Sequence, residues 1–418
     1  MKTKQKSFAL GYSYILESFL SWFFYGIIVA SGLSTIVANF SNSTGIAAPT
    51  IYGVNTIGGY ISVVGVFVCS IIMKKTSIRF LTTFSYLATA VGVLAVGHGS
   101  SLGAFVIFSV LTQFFYHGYC YGSSNALIAN WFPRKRGFIL GITTCGLMFS
   151  TFTGVMFMTK MSPVIGWGSV CNIMAAVLAA VGVISWFWIK DRPEDCGLLP
   201  DNMPMSDKER AELQMPAKDL WTVGGILKNK DSWMYIIGMG CLNMVGTGTL
   251  VMCIPFMMEQ GFSNVTAVWI SSVTGILAIG GSVLIGAIDT KCGTKIAAIV
   301  LAVCYSAGPF AALACALADF VPGVVICFGI TLTAGGALAN VGGSLVVNMY
   351  GRSSYNQAWR YLNTGAQLLK ACCYAAIGVV TAMLGKYCYV CAVWGTVALI
   401  GLICMIVGKF SYREPPKQ

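Results

Sequence analysis

The chain has 418 residues, 56% of them hydrophobic and only 10% charged, with a mean hydropathy of +0.77; this composition excludes a soluble globular protein of that length. The net charge of +12 sits in short joints between apolar blocks, which excludes a nucleic-acid-binding surface and fits a topological signal instead. No G-x-x-x-x-G-K-S/T stretch occurs, which argues against an ATP-driven pump.

A helix needs about 20 apolar residues to cross a bilayer, and twelve such blocks follow one another. The predicted spans are 12–40, 48–73, 80–97, 101–131, 137–161 and 167–189 in the first half, then 232–258, 264–288, 294–317, 321–350, 358–384 and 388–409. The opening MKTKQK followed by an apolar run imitates a signal peptide, but the run is long and has no small-residue cleavage pattern, so it is read as the first span.

Cations gather at both ends and in alternate joints: Lys2, Lys4 and Lys6; Lys74, Lys75 and Arg79; Arg134, Lys135 and Arg136; Lys291 and Lys295; Arg352; Lys409, Arg413 and Lys417. The intervening joints hold only Lys160 and Lys386. Short cation-bearing loops face the cytoplasm, so both termini are expected there, in an inner (plasma) membrane. Sixteen cysteines, scattered mainly through spans, read as small apolar packing residues. Cys388 and Cys391 have no companion pair or neighbouring His, so no metal or other cofactor is expected. Asn39, Asn42 and Asn264 stand in N-x-S/T triplets in joints that hug the membrane, and are read as chance matches.

The one long polar segment, 190–231, holds nine of the fourteen acidic residues: Asp191, Glu194, Asp195, Asp201, Asp207, Glu209, Glu212, Asp219 and Asp231. It reads as a cytoplasmic linker between a six-helix bundle at 1–189 and another at 232–418. Internal similarity supports a duplication, because NWFPR at 130–134 is matched by NMYGR at 348–352, an offset of 218 residues. SIIMKKTSIR at 70–79 corresponds likewise to GAIDTKCGTK at 286–295. The expected fold is an all-α membrane protein of twelve transmembrane helices in two six-helix pseudo-repeats.

The chain resembles the major facilitator superfamily of secondary transporters over essentially its whole length. The family's loop motif G-x-x-x-D-R/K-x-G-R/K-R/K is kept at Gly286, Lys291, Gly293 and Lys295, with Asp289 one place early; the first-half copy keeps only Lys75 and Arg79. DRPEDCGLLPDN after span six and NWFPRKRGFILGI between spans four and five resemble the oxalate/formate antiporter and monocarboxylate transporter branch. Span five, GITTCGLMFSTFTG, has no G-P-x-x-G-G stretch of the kind that marks drug and proton antiporters.

Polar residues inside spans are the candidate site. A lysine near a helix centre costs about 2.5 to 3.5 kcal/mol on insertion scales, so it must face an interior or a cavity. Lys370 lies about 18 Å into span eleven at 1.5 Å per residue, and helical spacing sets Asn363, Gln367 and Tyr374 on its face. The resemblance implies a lysine in span eleven and an arginine in span eight holding a substrate's carboxylates. Lys370 matches the first; Ser282 stands where the second is expected. One deep cation favours a monoanion. Arg360 lies about 15 Å toward the cytoplasm from Lys370 and is read as a gate or headgroup contact.

Glu17 leads a second stripe with Ser13, Ser21 and Tyr25 on span one, and is read either as a partner of Arg360 or Lys370 in a structural or gating pair or as a proton carrier. Gln113, His117, Tyr121 and Ser124 form a third on span four, where a histidine either titrates and binds a carboxylate or bonds a neighbouring helix. Tyr116 and Tyr119 beside them are packing, interfacial or pocket-lining residues. Gly335 to Ser344 reads as close helix packing. Asp289 is grouped with Glu17 and Arg360 as a coupling or gating residue.

These residues point to a monomeric secondary transporter, not an enzyme, whose partners are the lipid bilayer, a small organic monoanion, and protons as a candidate coupling ion. Uniport, symport and exchange all fit. A ligand-binding membrane sensor and an exporter of amphipathic compounds are the alternatives.

Overall fold

The computed structural model describes residues 9–132, 136–203, 221–351 and 354–412. Lys2, Lys4, Lys6, Arg134, Lys135, Arg352, Arg413 and Lys417 of the charge pattern, and the linker acids Asp207, Glu209, Glu212 and Asp219, lie outside these residues.

Among the described residues there are helices and turns and no strand, as a lipid environment demands of a chain that satisfies its backbone within each segment. Within the described residues, ten helices are long and apolar enough to cross a membrane: Ala48–Met73, Ile78–His98, Leu102–Trp131, Ile139–Ile165, Trp167–Trp188, Lys230–Glu259, Asn264–Cys292, Thr294–Leu317, Gln357–Leu384 and Tyr387–Val407. Two pairs pass the same test together, Ala9–Ile28 with Leu33–Thr44, bent by 42°, and Val321–Gly335 with Leu338–Tyr350, bent by 41°. Counted as broken spans, they bring the total to twelve.

Spans one and ten are therefore not the unbroken helices that their hydropathy suggested. Each break falls where backbone crowds a glycine. A Cβ on Gly32 would stand 1.8 Å from the Ile27 carbonyl oxygen, and one on Gly336 would stand 1.9 Å from that of Ala278 in span eight. The Gly32 amide reaches back to the Gly26 carbonyl at 3.1 Å, outside helical register. Spans four and five are continuous but carry π-helical turns, His117–Ser124 and Thr151–Val155, each of which rotates the residues beyond it.

The chain divides into two compact units. One holds residues 9–46 and 60–203, the other residues 47–59 and 221–412, so residues 48–59 of the helix Ala48–Lys75 group with the second half.

In the first unit the two sequence motifs interlock. Asn130 Nδ2 donates to the Asp191 carbonyl at 3.0 Å, and Trp131 Nε1 donates to that of Lys190 at 3.0 Å. The Asp191 carboxylate accepts from the backbone of Ile78 at 3.0 Å and Arg79 at 3.3 Å, capping the third span. Tyr14 closes the clasp, its hydroxyl donating to the Trp188 carbonyl at 3.0 Å and accepting from Lys190 N at 2.9 Å. Beneath it the Tyr14 and Trp131 rings meet edge-on at 4.7 Å in a core with Leu127, Ile128, Ile189 and Leu198.

The second unit has its own clasp. The Tyr350 hydroxyl is 2.5 Å from Ser232 Oγ and accepts from Asn229 Nδ2 at 3.3 Å, and Lys409 N donates to Asp231 Oδ1 at 3.1 Å. All sixteen cysteines are free thiols, and all but Cys292 are buried or partly buried. Asn39 is occupied by packing, accepting from Ser162 Oγ at 2.6 Å.

Candidate substrate site

In the first unit the irregular stretches gather rings and hydroxyls. His117 opens the π turn of span four; its ring lies 4.0 Å from that of Tyr116 and 5.7 Å from that of Tyr121. Span one supplies Trp22, 4.8 Å from Tyr121, and Tyr25, 5.0 Å from Tyr116 and 5.5 Å from Tyr121. Gln113 is buried one turn before His117. The π turn also splits the expected stripe: Ser124 is turned to Ser18, their hydroxyls in contact. Tyr119 stacks on Tyr86 at 4.6 Å and belongs to the bundle core. Thr151, first residue of the π turn in span five, donates to Ser31 Oγ in the break of span one at 2.7 Å. Such backbone irregularities in a helix are frequent at functional sites.

The Glu17 stripe serves three different neighbours. Ser13 Oγ accepts from Trp188 Nε1 at 2.8 Å in the clasp, whereas Tyr25 joins the aromatic cluster. Glu17, 1% exposed, accepts through Oε1 from Ser21 Oγ at 3.0 Å, and Ser21 shares a 2.9 Å hydrogen bond with the Tyr86 hydroxyl. Its other oxygen, Oε2, is buried without a hydrogen-bond partner among the described residues. Arg360 belongs to the other unit.

In the second unit, span eleven is the helix Tyr355–Leu384. Asn363, Gln367 and Lys370 are half-buried along it and Tyr374 is buried. No ion pair or hydrogen bond of the Lys370 side chain occurs among the described residues. Ser282 of span eight accepts from Asn340 Nδ2 of span ten at 3.0 Å. Asp289 accepts from Thr294 Oγ1 at 2.6 Å, fastening the turn between spans eight and nine.

Two features of this unit lack a sequence signal. Glu259, at the end of span seven, accepts from the backbone of Tyr387 and, at 3.1 Å, of Cys388, capping the start of span twelve. Residues 47–59 lie against span eleven so closely that a Cβ on Gly378 would stand 2.8 Å from the Pro49 carbonyl. Tyr52 and Tyr387 share a side-chain hydrogen bond. In the first unit Trp22 also lacks a sequence signal, because an isolated aromatic in an apolar span reads as packing. Among the described residues no three His, Cys, Asp or Glu side chains gather as a metal site.

Broken and π-turned spans around polar side chains, in two compact helical units, define a multi-pass membrane protein of the transporter type. The family model of the Major Facilitator Superfamily matches residues 14–368, and the chain belongs to that family. Over 90 residues, 20% of this chain and 17% of that protein, the sequence is 31% identical to the glucose-6-phosphate exchanger SLC37A2 of Xenopus tropicalis. The match thus spans less than a fifth of that relative's length. Among solved structures, the nucleoside transporter NupG superposes with a TM-score of 0.73 at 14% identity, covering 96% of this chain and 100% of that one. A D-xylose-proton symporter superposes with a TM-score of 0.72, also at 14% identity, covering 97% and 98%. At such identities the likeness is one of fold. The matches identify the superfamily and not the oxalate/formate branch.

Proposed function

We propose that the chain is a secondary transporter that moves a small organic anion by alternating access, with Lys370 as the residue that holds the anion. The observation carrying this reading is a cation on span eleven with neither ion pair nor hydrogen bond among the described residues. An unpaired lysine inside a membrane bundle is costly, and a bound anion supplies the missing counter-charge. Gln367, Asn363 and Tyr374 share its helix face and provide neutral hydrogen-bonding groups; Gln113, His117 and Tyr121, in the first unit, are the further candidate substrate-binding residues. Glu17, with one carboxylate oxygen unpartnered among the described residues, is the candidate coupling residue, and Arg360 and Asp289 are gating candidates. The active unit is a monomer of two bundles, 1–189 and 232–418, joined by the linker 190–231, in the inner (plasma) membrane with both termini cytoplasmic.

Within organic anions, a monocarboxylate is the preferred class. Ser282 stands where the branch resemblance implies an arginine and is committed to Asn340, so a second carboxylate would be desolvated without a partner. The stretch shared with a glucose-6-phosphate exchanger favours a second reading, in which the anion is a phosphate monoester.

Lys370→Gln decides the assignment. Uptake into proteoliposomes should fall at least tenfold, while the ligand-free protein melts no lower than wild type because a buried charge has been removed. Unchanged uptake by the folded variant would sink it. Wild-type uptake of lactate and of glucose 6-phosphate separates the two anion classes. Stabilisation by either without any uptake would point to a sensor, and transport of amphipathic cations to an exporter.

A further inference from the structure

The clasp of the first unit leaves cations unspent. The Asp191 carboxylate is turned onto the backbone of Ile78 and Arg79 and so does not pair with the Arg79 side chain. The Arg79 guanidinium lies over the Trp186 ring, 4.9 Å from its centroid. Stacking occupies the guanidinium face and leaves its in-plane N–H donors available. Among the described residues neither Arg79 nor Lys190 forms a side-chain ion pair or hydrogen bond. Both line a cleft of about 220 Å³ with Ser77, Ile189, Asp191 and Asp195.

The flank of this cleft is aromatic and exposed. Phe80 lies parallel to Phe84 at 6.1 Å and edge-on to Trp186 at 6.4 Å. Phe80 is 41% exposed, Phe84 49%, Trp186 38% and Phe187 74%. A Trp ring against a cation at a span end is the arrangement that membrane–water interfaces select, and the exposed Phe80, Phe84 and Phe187 rings extend it as apolar surface suited to acyl chains.

We propose that this cleft binds the phosphodiester headgroup of a singly charged anionic phospholipid. It draws the lipid from the leaflet at this end of spans three and six, which the charge pattern makes the cytoplasmic one. Arg79 and Lys190 hold the phosphate; Phe80, Phe84 and Trp186 lie along the acyl chains. Asp195, on the same rim, disfavours headgroups that carry further phosphates. The site is separate from the transport reading and stands without it.

The test uses the full-length protein in phosphatidylcholine nanodiscs, with fluorescent phosphatidylglycerol titrated in. Near a membrane surface each Lys or Arg contributes about fivefold to anionic-lipid affinity, so Arg79→Gln and Lys190→Gln should each weaken binding about fivefold. Lys295→Gln, at the corresponding joint of the other half, should leave it unchanged. Lys190 is exposed and carries the test if Arg79→Gln lowers the yield of folded protein. Equal binding by wild type and the Arg79 and Lys190 variants overturns the proposal, as does an equal loss in Lys295→Gln, which would mean general charge attraction. Full competition by millimolar inorganic phosphate overturns it in favour of a free-anion site.

Discussion

The two halves fasten their membrane ends alike and do so with different chemistry. In the first, the amide of Lys190 leaving span six donates to the Tyr14 hydroxyl at the start of span one. In the second, the amide of Lys409 leaving span twelve donates to the Asp231 carboxylate at the start of span seven. The repeat offset of 218 residues carries each member of the first pair to within one residue of its counterpart in the second. The requirement that persists is the satisfied amide at a helix exit, and a phenol or a carboxylate meets it. The bundle interiors differ more. The first holds a carboxylate bonded to Ser21 and a ring cluster, whereas the second holds Lys370, whose side chain has no ion pair or hydrogen bond among the described residues.

The largest expected effect lies where the first clasp adds packing to hydrogen bonding. Trp131→Ala should cost about 3 to 5 kcal/mol, seen as a depressed melting midpoint in detergent. Tyr350→Phe, which keeps the ring and loses only the hydroxyl, should cost much less; equal losses would mean that the second clasp is also a packing device. Next comes the exchange of phenol for carboxylate. Tyr14→Phe leaves both the Lys190 amide and the Trp188 carbonyl without their partner and should cost about 1 to 3 kcal/mol. Asp231→Asn keeps an acceptor oxygen and should cost under about 1 kcal/mol, so a reversed order of the two midpoints would mean that phenol and carboxylate are not equivalent acceptors at these helix exits. The smallest effect concerns the valence of the anion held at Lys370. Ser282→Arg must break the Asn340 bond, yet it adds a second positive charge, and the ratio of dicarboxylate to monocarboxylate uptake should rise about fivefold, or about 1 kcal/mol. An unchanged ratio would show that span eight does not set anion valence.

What the sequence disclosed follows from which forces act locally. Apolar length and loop charge reveal spans because the bilayer acts on each segment separately, and Lys370 stood out because its cost is paid by that helix alone. NWFPR and DRPEDCG could be recognised as motifs, but their partnership could not. Asp191 acts on amides 113 and 112 residues away, and nothing in either stretch names the other. The bends at Gly32 and Gly336 were equally hidden, since hydropathy runs through them and it is contact with the Ile27 and Ala278 carbonyls that requires glycine there. The π turn at His117 shifted the expected face of Ser124, because a stripe drawn at ideal helical spacing assumes an unbroken register.

The hydrogen bond from Thr151 to Ser31 joins residues 120 positions apart, and that separation is also a delay. At about 5 to 20 residues per second of synthesis, span five emerges roughly 6 to 24 seconds after the break in span one has been made. Through that interval the broken segment waits in the translocation machinery or the lipid with its kink exposed, held by local bonds such as those from Ser31 Oγ and the Gly32 amide to the Gly26 carbonyl, at 3.3 and 3.1 Å. The first span is thus made as a provisional object, and its shape is ratified by a helix that the ribosome has yet to write.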